Sequence, residues 1–549
     1  MKVRIFVVFG VSAHMWLRLR INDVCAIVNT LGTLVSGIGA AMLVPLVVAL
    51  AAGEYRPAAS FLLSFGATFA LGSAMRLVRP KTRGLSRTQA LVVTGLAWVA
   101  ASLVSALPFV VQGLYASPFD AFFDTVSCYT GTGMSLIQRL SHLPYSFGMW
   151  RMIMLAIGAQ GIVIMALALG TISKFSGASM LFEAEGHQDK LMPGMADTSR
   201  FIILFMGSFI ALGTLICSLM CLVLCGMQPL RAIYHGFSLA VAAAATGGIT
   251  VMDVGAIYYH QPAIYATLIC LMLAGTFSFA VYLRMSTKGP RELLRDVETR
   301  MILAWSFVVL TLLAVSFAQD DAFGDLGTFL DKGVFNAVSA LTSTGFCTLS
   351  SAQLTGVASR AVLFCFILGM AMGGATSSTA GGVKAIRVVV AIKTFVSEVR
   401  RVLMPSSARE VIRYYHLGQR TLTSELSRNA IIVFLLFMLT YLVGGMAGVL
   451  FGVDPLAAML ESVSCTNNCG ISAGVVSPDL PAALKTVYLV QMLAGRLEFV
   501  TLLATLASVA VSCVRGFYDS PVGCGLRSLV PENARRAWRG LPARRGPRR

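Results

Sequence analysis

Long apolar stretches separated by short polar segments dominate the sequence. A helix needs about 20 mostly apolar residues to cross the hydrocarbon core of a bilayer. Stretches of roughly that length cover 22–51, 57–78, 88–112, 149–173, 200–226, 262–284, 300–318, 360–398, 428–452 and 483–513. The stretch 360–398 is broken by small and polar residues. The pattern predicts an all-α membrane protein with about ten spans.

Basic residues alternate between the polar segments, which indicates how the chain is oriented. Segments on the cytoplasmic side of a membrane carry an excess of Lys and Arg. One alternate set is basic and contains Arg18, Arg20, Arg76, Arg79, Lys81, Arg83, Arg87, Lys174, Lys190, Arg284, Lys288, Arg291, Arg295, Arg400, Arg401, Arg409, Arg413, Arg420 and the tail from Arg535 to Arg549. The other set has few bases and contains the acids Asp320, Asp321, Asp325, Asp331, Asp454 and Asp479. We therefore predict that both termini are cytoplasmic and that the acidic segments face outward.

A repeated pattern occupies four of the outward segments. Each runs from a short, moderately apolar stretch into a turn that ends at a glycine. The segments are VSCYTGTG, AAAATGGI, VSALTSTGF and VSCTNNCGI, and their matching glycines are Gly133, Gly248, Gly345 and Gly470. Each turn lies between two spans, so the pattern predicts helix, re-entrant half-helix, turn and helix four times in succession.

The predicted fold is therefore four pseudo-symmetric repeats around one pore, with two extra transmembrane helices at the N-terminus. Residues 1–87 form the N-terminal cytoplasmic segment and the two extra helices. The repeats cover 88–190, 191–299, 300–420 and 421–517, and 518–549 is a basic cytoplasmic tail.

The composition of the turns suits the binding of a cation. Non-helical backbone at membrane depth persists only where it is buried in protein or lines water. Glycine accepts the positive φ that reorients a carbonyl, and four turns around one axis would form a ring of oxygens able to replace the hydration shell of a monovalent cation. The half-helices would also point their partly negative C-terminal ends at the ion. One such turn is usually an ordinary loop, whereas four in the same topological position favour an ion-selective filter.

Two further features lie below the turns. The stretch GGATSSTAGGVKAIR (373–387) is too rich in small and polar residues for a stable lipid-facing helix. We predict an irregular break there that obstructs passage and can move. Arg496 lies in the middle of an apolar helix, where a charge is costly. It could form an ion pair with Glu498 or contact backbone carbonyls, or it could oppose cation flow by pinning the break; these interpretations are compatible.

Composition excludes several other classes of protein. The chain has 549 residues, of which 56% are apolar and 12% are charged, about half the roughly 25% charged residues usual in soluble proteins. This excludes a cytosolic enzyme, a disordered protein and a secreted disulfide scaffold. The net charge of +18 is assigned to cytoplasmic loops and not to binding of nucleic acid. Cys217, Cys221 and Cys225 share a helix face and could be considered a metal site, but no His or carboxylate joins them. The six His are scattered without metal spacing, so we expect no enzyme.

At these residues the chain resembles the Trk/Ktr/HKT superfamily of potassium transporters, and most closely its bacterial Trk-type membrane subunits. The most specific pieces are STAGGVKAIR (378–387), GRLE (495–498), TNNCG in the fourth turn and TSTGF in the third. Three positions depart from the usual family pattern: the first turn reads TGTG, Cys469 replaces a common leucine, and Ser278 replaces a frequent asparagine. These departures bear on the degree of selectivity for K⁺ over Na⁺.

The resemblance implies roles for particular residues. The residues of the K⁺-binding selectivity filter would be Thr130, Gly131, Thr132, Gly133, Thr246, Gly247, Gly248, Thr342, Ser343, Thr344, Gly345, Asn467, Asn468, Cys469 and Gly470. An intramembrane gating loop would cover 373–382, and the gating residues would be Gly373, Gly374, Gly381, Gly382, Lys384 and Arg496.

The resemblance also implies partners and a location. The chain would form a homodimer with one pore per protomer in the bacterial inner membrane. A cytoplasmic TrkA-like regulatory ring would dock on its inner face and would bind the nucleotide, NAD or ATP/ADP, so that this chain itself would need no cofactor besides the transported K⁺.

The expected function is K⁺ uptake through a gated, channel-like pore. An inside-negative potential of 100 mV supplies about 2.3 kcal/mol per monovalent cation, which corresponds to roughly 45-fold accumulation, so a uniport suffices. The alternative is a symporter that couples K⁺ to H⁺ or Na⁺. It would require an ionisable residue in the pathway, and the candidates are Asp124 and Glu461 in the first and fourth half-helices. Both could instead anchor those half-helices.

Overall fold

The structure is a computed structural model that describes residues 21–78, 80, 85–137, 139–161, 195–318, 326–356, 359–404 and 411–518. Several positions used in the sequence analysis lie outside the described residues. These are Arg18, Arg20, Arg79, Lys81, Arg83, Lys174, Lys190, Asp320, Asp321, Asp325, Arg409, the part of the 149–173 span after Gly161, and the tail beyond Tyr518 with Arg535 to Arg549.

The described residues are almost entirely helical. The N-terminal part consists of α1 (Ile21–Ala41), α2 (Leu43–Ala51) and α3 (Tyr55–Arg76). The next part consists of α4 (Arg87–Gln112), α5 (Pro118–Thr130), α6 (Tyr145–Gln160), α7 (Met195–Val223), α8 (Pro229–Ala244), α9 (Pro262–Thr276), α10 (Phe279–Lys288) and α11 (Arg291–Arg295). The last part consists of α12 (Val297–Ala318), α13 (Phe335–Leu341), α14 (Ser351–Gly356), α15 (Arg360–Met372), α16 (Ala385–Leu403), α17 (Ser424–Leu450), α18 (Pro455–Thr466), α19 (Ala482–Arg496) and α20 (Val500–Tyr518).

A few shorter elements complete the fold. A helical turn (Leu326–Thr328) and a π-helical stretch (Phe329–Val334) lead directly into α13, and 3₁₀ turns cover Leu140–His142 and Gly255–Tyr259. The strands β1 (Arg413–Tyr415) and β2 (Gln419–Thr421) form an antiparallel hairpin between α16 and α17, in which Tyr414 pairs with Arg420.

Six helical segments of the described chain are long and apolar enough to cross a membrane: Asp23–Ala51, Tyr55–Arg76, Thr88–Gln112, Asp197–Val223, Val297–Ala318 and Ser424–Leu450. The total rises to eight if two bent pairs each count as one span, namely α9 with α10 at 93° and α19 with the following helix at 114°. The prediction of an all-α, multi-pass membrane fold is confirmed. Of the remaining predicted spans, 149–173 is described only as far as Gly161 and contains the end of a helix that finishes at Gln160, and 360–398 consists of two helices separated by an irregular stretch.

The two predicted N-terminal spans pack closely because small residues line their contact. α1 and α2 together form the first span, with a turn at Met42 between them, and α3 forms the second. An ideal Cβ built on Gly32 of α1 would lie 2.8 Å from the carbonyl oxygen of Gly72 of α3, and the reverse separation is also 2.8 Å. Small residues at such crossings allow helix backbones to approach within membranes.

Four short helices, α5, α8, α13 and α18, form the buried centre of the protein. Most of their residues are buried, particularly in their C-terminal halves. Pro118, Pro229 and Pro455 stand at the first positions of three of them, where proline costs no hydrogen bond and its fixed φ suits the helix. Asp454 caps α18 by accepting hydrogen bonds from the amides of Leu456 and Ala457. We call these four the pore helices.

The helix that follows each pore helix ends or bends within the bundle. α6 ends at Gln160, α9 bends into α10, α15 ends at Met372, and α19 bends into α20. In three of the four, a glycine lies against the C-terminal end of the preceding pore helix. An ideal Cβ on Gly158, Gly275 or Gly495 would lie 1.8 Å, 2.5 Å or 1.8 Å from the carbonyl oxygens of Tyr129, Ala244 and Thr466 respectively. These glycines place the breaks directly beside the turns.

Candidate ion pathway

The four glycine-ended turns share one backbone conformation. The final glycines Gly133, Gly248, Gly345 and Gly470 all have positive φ, between 53° and 95°. The residue two positions earlier is also left-handed in every turn, and these residues are Gly131, Thr246, Ser343 and Asn468. Left-handed backbone is uncommon for residues other than glycine, so its recurrence at three non-glycine positions shows that the surrounding structure imposes it.

Each turn is tied to its pore helix by the same hydrogen bond. The amide of the residue before the final glycine donates to the carbonyl of the residue five positions earlier, at 2.9–3.0 Å. The pairs are Thr132 to Ser127, Gly247 to Ala242, Thr344 to Ser339, and Cys469 to Ser464. The carbonyl oxygens of the turn residues accept no backbone hydrogen bond from the described residues. The amides are therefore used, while the oxygens stay available.

The turns contact one another in a closed cycle. An ideal Cβ on each final glycine would lie only 1.8–2.4 Å from a carbonyl oxygen of the next turn. The contacts run from Gly133 to the oxygen of Gly247, from Gly248 to Thr344, from Gly345 to Cys469, and from Gly470 back to Thr132. No side chain fits at any of these glycines without moving a neighbouring carbonyl, so four turns from distant parts of the chain form one ring.

Side chains reinforce the ring at several points. The hydroxyls of Thr130 and Thr132 hydrogen-bond to each other at 2.9 Å, and those of Thr342 and Thr344 do so at 2.7 Å. Asn468 donates to the Thr132 hydroxyl at 3.1 Å and thereby joins the fourth turn to the first. These hydrogen bonds fix the threonine side chains within the protein, whereas Oδ1 of Asn468 has no hydrogen-bond partner among the described residues.

Asn467 is held by its own set of contacts. Its Nδ2 donates to the carbonyl of Met370 at 2.9 Å, and its Oδ1 accepts from the Tyr441 hydroxyl at 2.7 Å. The amide of Asn467 therefore links the fourth turn to α15 and α17.

The two acidic residues of the pore helices have anchoring contacts. Asp124 lies 3.3 Å from the guanidinium of Arg151 on α6, and both side chains are buried. Glu461 accepts hydrogen bonds from the Ser472 hydroxyl and the Ala473 amide, at 2.6 Å and 2.9 Å. Asn336 occupies the corresponding position in the third repeat and accepts from the amide of Thr348 at 2.9 Å. Glu461 and Asn336 therefore each bind the segment that follows the turn of their own repeat.

The predicted break is an irregular stretch that runs from Gly373 to Lys384, between α15 and α16. We call residues 373–384 the intramembrane loop. Its backbone pairs with the end of α9, since Ala375 donates to the carbonyl of Thr276 at 3.0 Å and Thr379 to that of Gly275 at 3.2 Å. Two backbone amides of this non-helical segment inside the bundle are thus satisfied by a neighbouring helix end.

The loop also contacts two of the turns directly. The hydroxyls of Thr379 and Thr246 lie 3.2 Å apart, which joins the loop to the second turn. An ideal Cβ on Gly381 would lie 2.0 Å from the carbonyl oxygen of Asn467 in the fourth turn. The loop is therefore packed against the ring. Lys384 donates to the carbonyl of Ala380 at 2.5 Å, which keeps its ammonium group under the loop.

Arg496 joins the loop to two helices. Its guanidinium donates to the carbonyl of Thr379 at 3.1 Å and to those of Gly158 and Ala159 at 2.6 Å and 2.9 Å. It also lies 5.6 Å from the ring centroid of Trp98. Arg496 therefore both contacts backbone carbonyls and attaches the loop to α6. Glu498 forms a salt bridge with Arg387 at the start of α16.

A small cavity lies between the loop and Arg496. It has a volume of about 40 Å³ and is lined by Trp98, Lys384, Arg496, Glu498 and small residues of the loop. Sequence analysis did not identify Trp98 or the buried Glu298, whose carboxylate accepts hydrogen bonds from the amide and hydroxyl of Thr376 at 2.9 Å and 2.6 Å. Glu298 could have been identified from the sequence, because it is an acidic residue at the start of an otherwise apolar span.

The cysteine group considered as a metal site lies on and just beyond an apolar helix. Cys217 and Cys221 are buried in α7, Cys225 is half-buried beyond its end, and all three are free thiols. Cys225 points its sulfur towards the carbonyl of Tyr259 at 4.0 Å. The three residues behave as packing residues of an apolar helix.

Comparison with known proteins adds three findings. A family model described as TrkH, cation transport protein, matches residues 59–511. An uncharacterized cation transporter of Methanocaldococcus jannaschii is 29% identical over 500 residues, which cover 91% of this chain and 98% of that protein. The Trk system potassium uptake protein TrkH of Escherichia coli K12 is 28% identical over 490 residues, which cover 87% of this chain and 97% of that protein.

A further relative and a solved structure extend the comparison. The Trk system potassium uptake protein TrkI of Halomonas elongata is 30% identical over 428 residues, covering 76% of this chain and 83% of that protein. The crystal structure of the potassium transporter TrkH from Vibrio parahaemolyticus is similar with a TM-score of 0.73, at 23% sequence identity, over 88% of this chain and 98% of that one. At this identity the structural match is a statement about the fold.

Proposed function

The chain belongs to the TrkH family of cation transport proteins, and we propose that it takes up K⁺ across the bacterial inner membrane through a gated, channel-like pore. Relatives named as Trk system potassium uptake proteins align over most of both sequences, which supports K⁺ as the transported ion. Transport would be driven by the membrane potential.

One observation carries the proposal: the closed ring of four turns with free carbonyl oxygens. A dehydrated monovalent cation needs several oxygen ligands at once to replace its water. The eight oxygens of Gly131, Thr132, Thr246, Gly247, Ser343, Thr344, Asn468 and Cys469 accept no hydrogen bond from the described residues. They come from four chain segments that contact one another, so each layer of the ring can offer one oxygen from every repeat.

The contacts of the two acids favour a uniport over a symporter. A coupled proton or Na⁺ would require a carboxylate that is exposed to the pathway and free to change partners. Asp124 is engaged with Arg151, and Glu461 holds the backbone beyond the fourth turn. Reversal potentials measured in planar bilayers at fixed K⁺ test this choice. A shift with the proton or Na⁺ gradient would support the symporter instead.

The intramembrane loop and Arg496 would form the gate. In the described conformation the loop is packed against the ring, and a small cavity of about 40 Å³ lies between it and Arg496. Three hydrogen bonds from Arg496 connect the loop to α6, and the positive charge itself opposes the passage of cations. Opening would require the guanidinium to leave Thr379 and the loop to swing aside.

The remaining expectations complete the proposed assembly. The chain would act as a homodimer with one pore per protomer and both termini in the cytoplasm. A TrkA-like ring that binds NAD or ATP/ADP would control the loop from the cytoplasmic side. Chemical crosslinking and co-purification with such a ring in detergent would test these two associations.

Growth rescue is the direct test of the function. A bacterium that lacks its potassium uptake systems is expected to grow at low external K⁺ when it expresses this chain. The Gly345→Ser variant, expressed at the same level, is the matched control and should restore growth poorly or lose preference for K⁺. Failure of the wild-type chain, with correct membrane insertion, would contradict the proposal.

A further inference from the structure

Three buried polar side chains meet at the start of α12, outside the ion pathway. They are Asp296, Glu298 and His416, which are 2%, 0% and 4% exposed. One carboxylate oxygen of each acid and one ring nitrogen of the histidine all lie within 4.8 Å of one another. The two acids are two positions apart in sequence, whereas the histidine comes from the hairpin that follows α16. The fold has therefore brought together donors that are about 120 residues apart.

The backbone around the cluster fixes the positions of Asp296 and His416. Asp296 precedes α12 and accepts a hydrogen bond from the amide of Glu298 at 3.0 Å. Its other oxygen lies 3.1 Å from Nδ1 of His416. His416 stands at the turn between β1 and β2, where its amide donates to the carbonyl of Gly418 at 2.9 Å. Hydrogen bonds of the neighbouring backbone thus fix the positions of both side chains.

Glu298 supplies an unused acceptor within this cluster. One of its oxygens accepts from the amide and hydroxyl of Thr376. The other oxygen, Oε2, is buried and has no hydrogen-bond partner among the described residues. It lies 3.9 Å from Nδ1 of His416, so it points at the cluster. A buried acceptor without a partner destabilises the folded protein, and a bound cation would satisfy it.

The donor set and its spacing suit a transition-metal ion. Zn²⁺ binds imidazole nitrogen and carboxylate oxygen at about 2.0–2.2 Å, usually in a tetrahedron, so neighbouring donors stand roughly 3.3 Å apart in such a site. The separations of His416 Nδ1 from the two carboxylates are 3.1 Å and 3.9 Å, which bracket that value. Two carboxylates also balance the charge of a divalent ion, and the imidazole disfavours Mg²⁺ and Ca²⁺, which prefer oxygen ligands.

We propose that Asp296, Glu298 and His416 bind one divalent transition-metal ion of the Zn²⁺ type, which fastens the β1–β2 hairpin to the start of α12. The fourth ligand would be water. This site is distinct from the K⁺ pathway, because its three residues lie outside both the ring and the intramembrane loop.

The bound ion would also influence the loop through one shared residue. Glu298 contacts the cluster with one oxygen and Thr376 of the intramembrane loop with the other. Polarisation of the carboxylate by a cation would reorient or weaken the contact with Thr376. This consequence rests on the proposed function of the loop as a gate, whereas the metal site does not.

The competing arrangement is a protonated His416 held between the two carboxylates without any metal. Other charged groups adjoin the cluster: Glu292 accepts from the Tyr415 hydroxyl at 2.7 Å, and Arg295 lies 4.9 Å from the Tyr415 ring. A cationic imidazole would leave the cluster with a net negative charge, whereas a divalent ion with neutral imidazole would neutralise it. The two arrangements make opposite predictions for metal binding.

Metal binding by the full-length protein tests the proposal. The protein in detergent is first stripped with a chelator and then titrated with Zn²⁺ by calorimetry, with metal analysis after gel filtration. We expect one equivalent of tightly bound Zn²⁺ per chain. His416→Gln should weaken binding at least tenfold, while His260→Gln, which changes an exposed histidine on a loop, should have no effect.

A second probe covers the case in which His416→Gln does not fold. Wild-type protein loaded with Co²⁺ should show visible absorption bands typical of a four-coordinate site with nitrogen and oxygen ligands, and Zn²⁺ should remove them. Absence of a stoichiometric site in the wild type, or unchanged Zn²⁺ affinity in a folded His416→Gln variant, would overturn the proposal. The protonated-histidine arrangement predicts that wild-type protein binds no Zn²⁺.

Transport assays address the coupling separately. In proteoliposomes, Zn²⁺ should alter K⁺ flux of the wild type and leave that of His416→Gln unchanged. If Zn²⁺ binds stoichiometrically and flux does not respond, the coupling is refuted and the metal site stands. If no K⁺ flux is found at all, the proposed function fails while the binding result is unaffected.

Discussion

Replacement of Gly345 by serine should damage the ring at one defined contact. An ideal Cβ at Gly345 would lie 1.8 Å from the carbonyl oxygen of Cys469, while contacts under 3.0 Å essentially never occur for real Cβ atoms. The fourth turn and the third must therefore separate by at least 1.2 Å, the difference between these two distances. The obstacle is backbone, which cannot swing away as a flexible side chain could.

The backbone conformation adds to the cost of this substitution. Gly345 has a φ of +91°, beyond the small left-handed region that side chains tolerate at about +50° to +70°. Residues with a Cβ pay roughly 1–2 kcal/mol for left-handed backbone. Relief of the clash and the strain would move the Cys469 oxygen and the turn that contains residue 345 away from their positions in the ring. K⁺ would then lose some of the oxygens that replace its hydration shell.

The expected result is a fall of at least tenfold in the permeability ratio of K⁺ to Na⁺, which corresponds to about 1.4 kcal/mol of lost discrimination. Bi-ionic reversal potentials in planar bilayers measure it. Gly255→Ser is a matched control, because Gly255 also has positive φ, +67°, but the nearest atom to its ideal Cβ is at 3.6 Å. If folded Gly345→Ser keeps wild-type selectivity, the oxygens of this ring do not select the ion.

Three further predictions concern the gate, a buried pair and an extramembrane contact. Arg496→Ala removes three hydrogen bonds to carbonyls, each worth about 1.5–3 kcal/mol for a charged donor. K⁺ flux in proteoliposomes should therefore rise several-fold. Unaltered flux would show that Arg496 is not part of the gate. Asp124→Asn leaves the buried Arg151 without its ion pair, which should cost about 3–5 kcal/mol and lower the midpoint of thermal unfolding in detergent; an unchanged midpoint would show that the pair is dispensable. The hydrogen bond from Tyr415 holds the pKa of Glu292 below its usual value of 4.5, so its stabilising effect is present above that pH and lost as pH falls through the lowered pKa. Hydrogen exchange of the β1–β2 hairpin should accelerate as the pH falls through the lowered pKa of Glu292. A Tyr415→Phe variant should lose this pH dependence, and wild-type exchange that stays slow in acid would contradict the assignment.

Local patterns were sufficient to predict the turns of the ring. Apolar length predicts the spans, and the four glycines are recognisable because a positive φ close to a neighbouring backbone excludes other residues. The second left-handed position was harder to recognise, since Thr246, Ser343 and Asn468 occupy it in three of the four turns. No residue type marks that position, because the hydrogen bond of the following amide to the pore helix imposes its conformation.

Contacts between distant segments could not be predicted from the sequence. Arg496 was recognised as an unusual charge within a span, but its partner carbonyl at Gly158 is 338 residues away. His416 was set aside as one of six scattered histidines, whereas the fold places it beside Asp296 and Glu298. The described residues contain six straight apolar helices long enough to cross a membrane, or eight spans if each bent pair counts as one, and the total of about ten, which draws on residues outside the described ranges, stays a prediction.

The attachment of the intramembrane loop to the ring has a directional consequence. The turns follow one another in chain order around the cycle, so the second and fourth stand diagonally opposite. Those are the two that the loop contacts, through Thr379 with Thr246 and through Gly381 with Asn467. If the loop is the proposed gate, its withdrawal would remove contacts from two opposite turns only. Opening would then act on the ring along one diagonal, and the fit to the ion would change in the same movement.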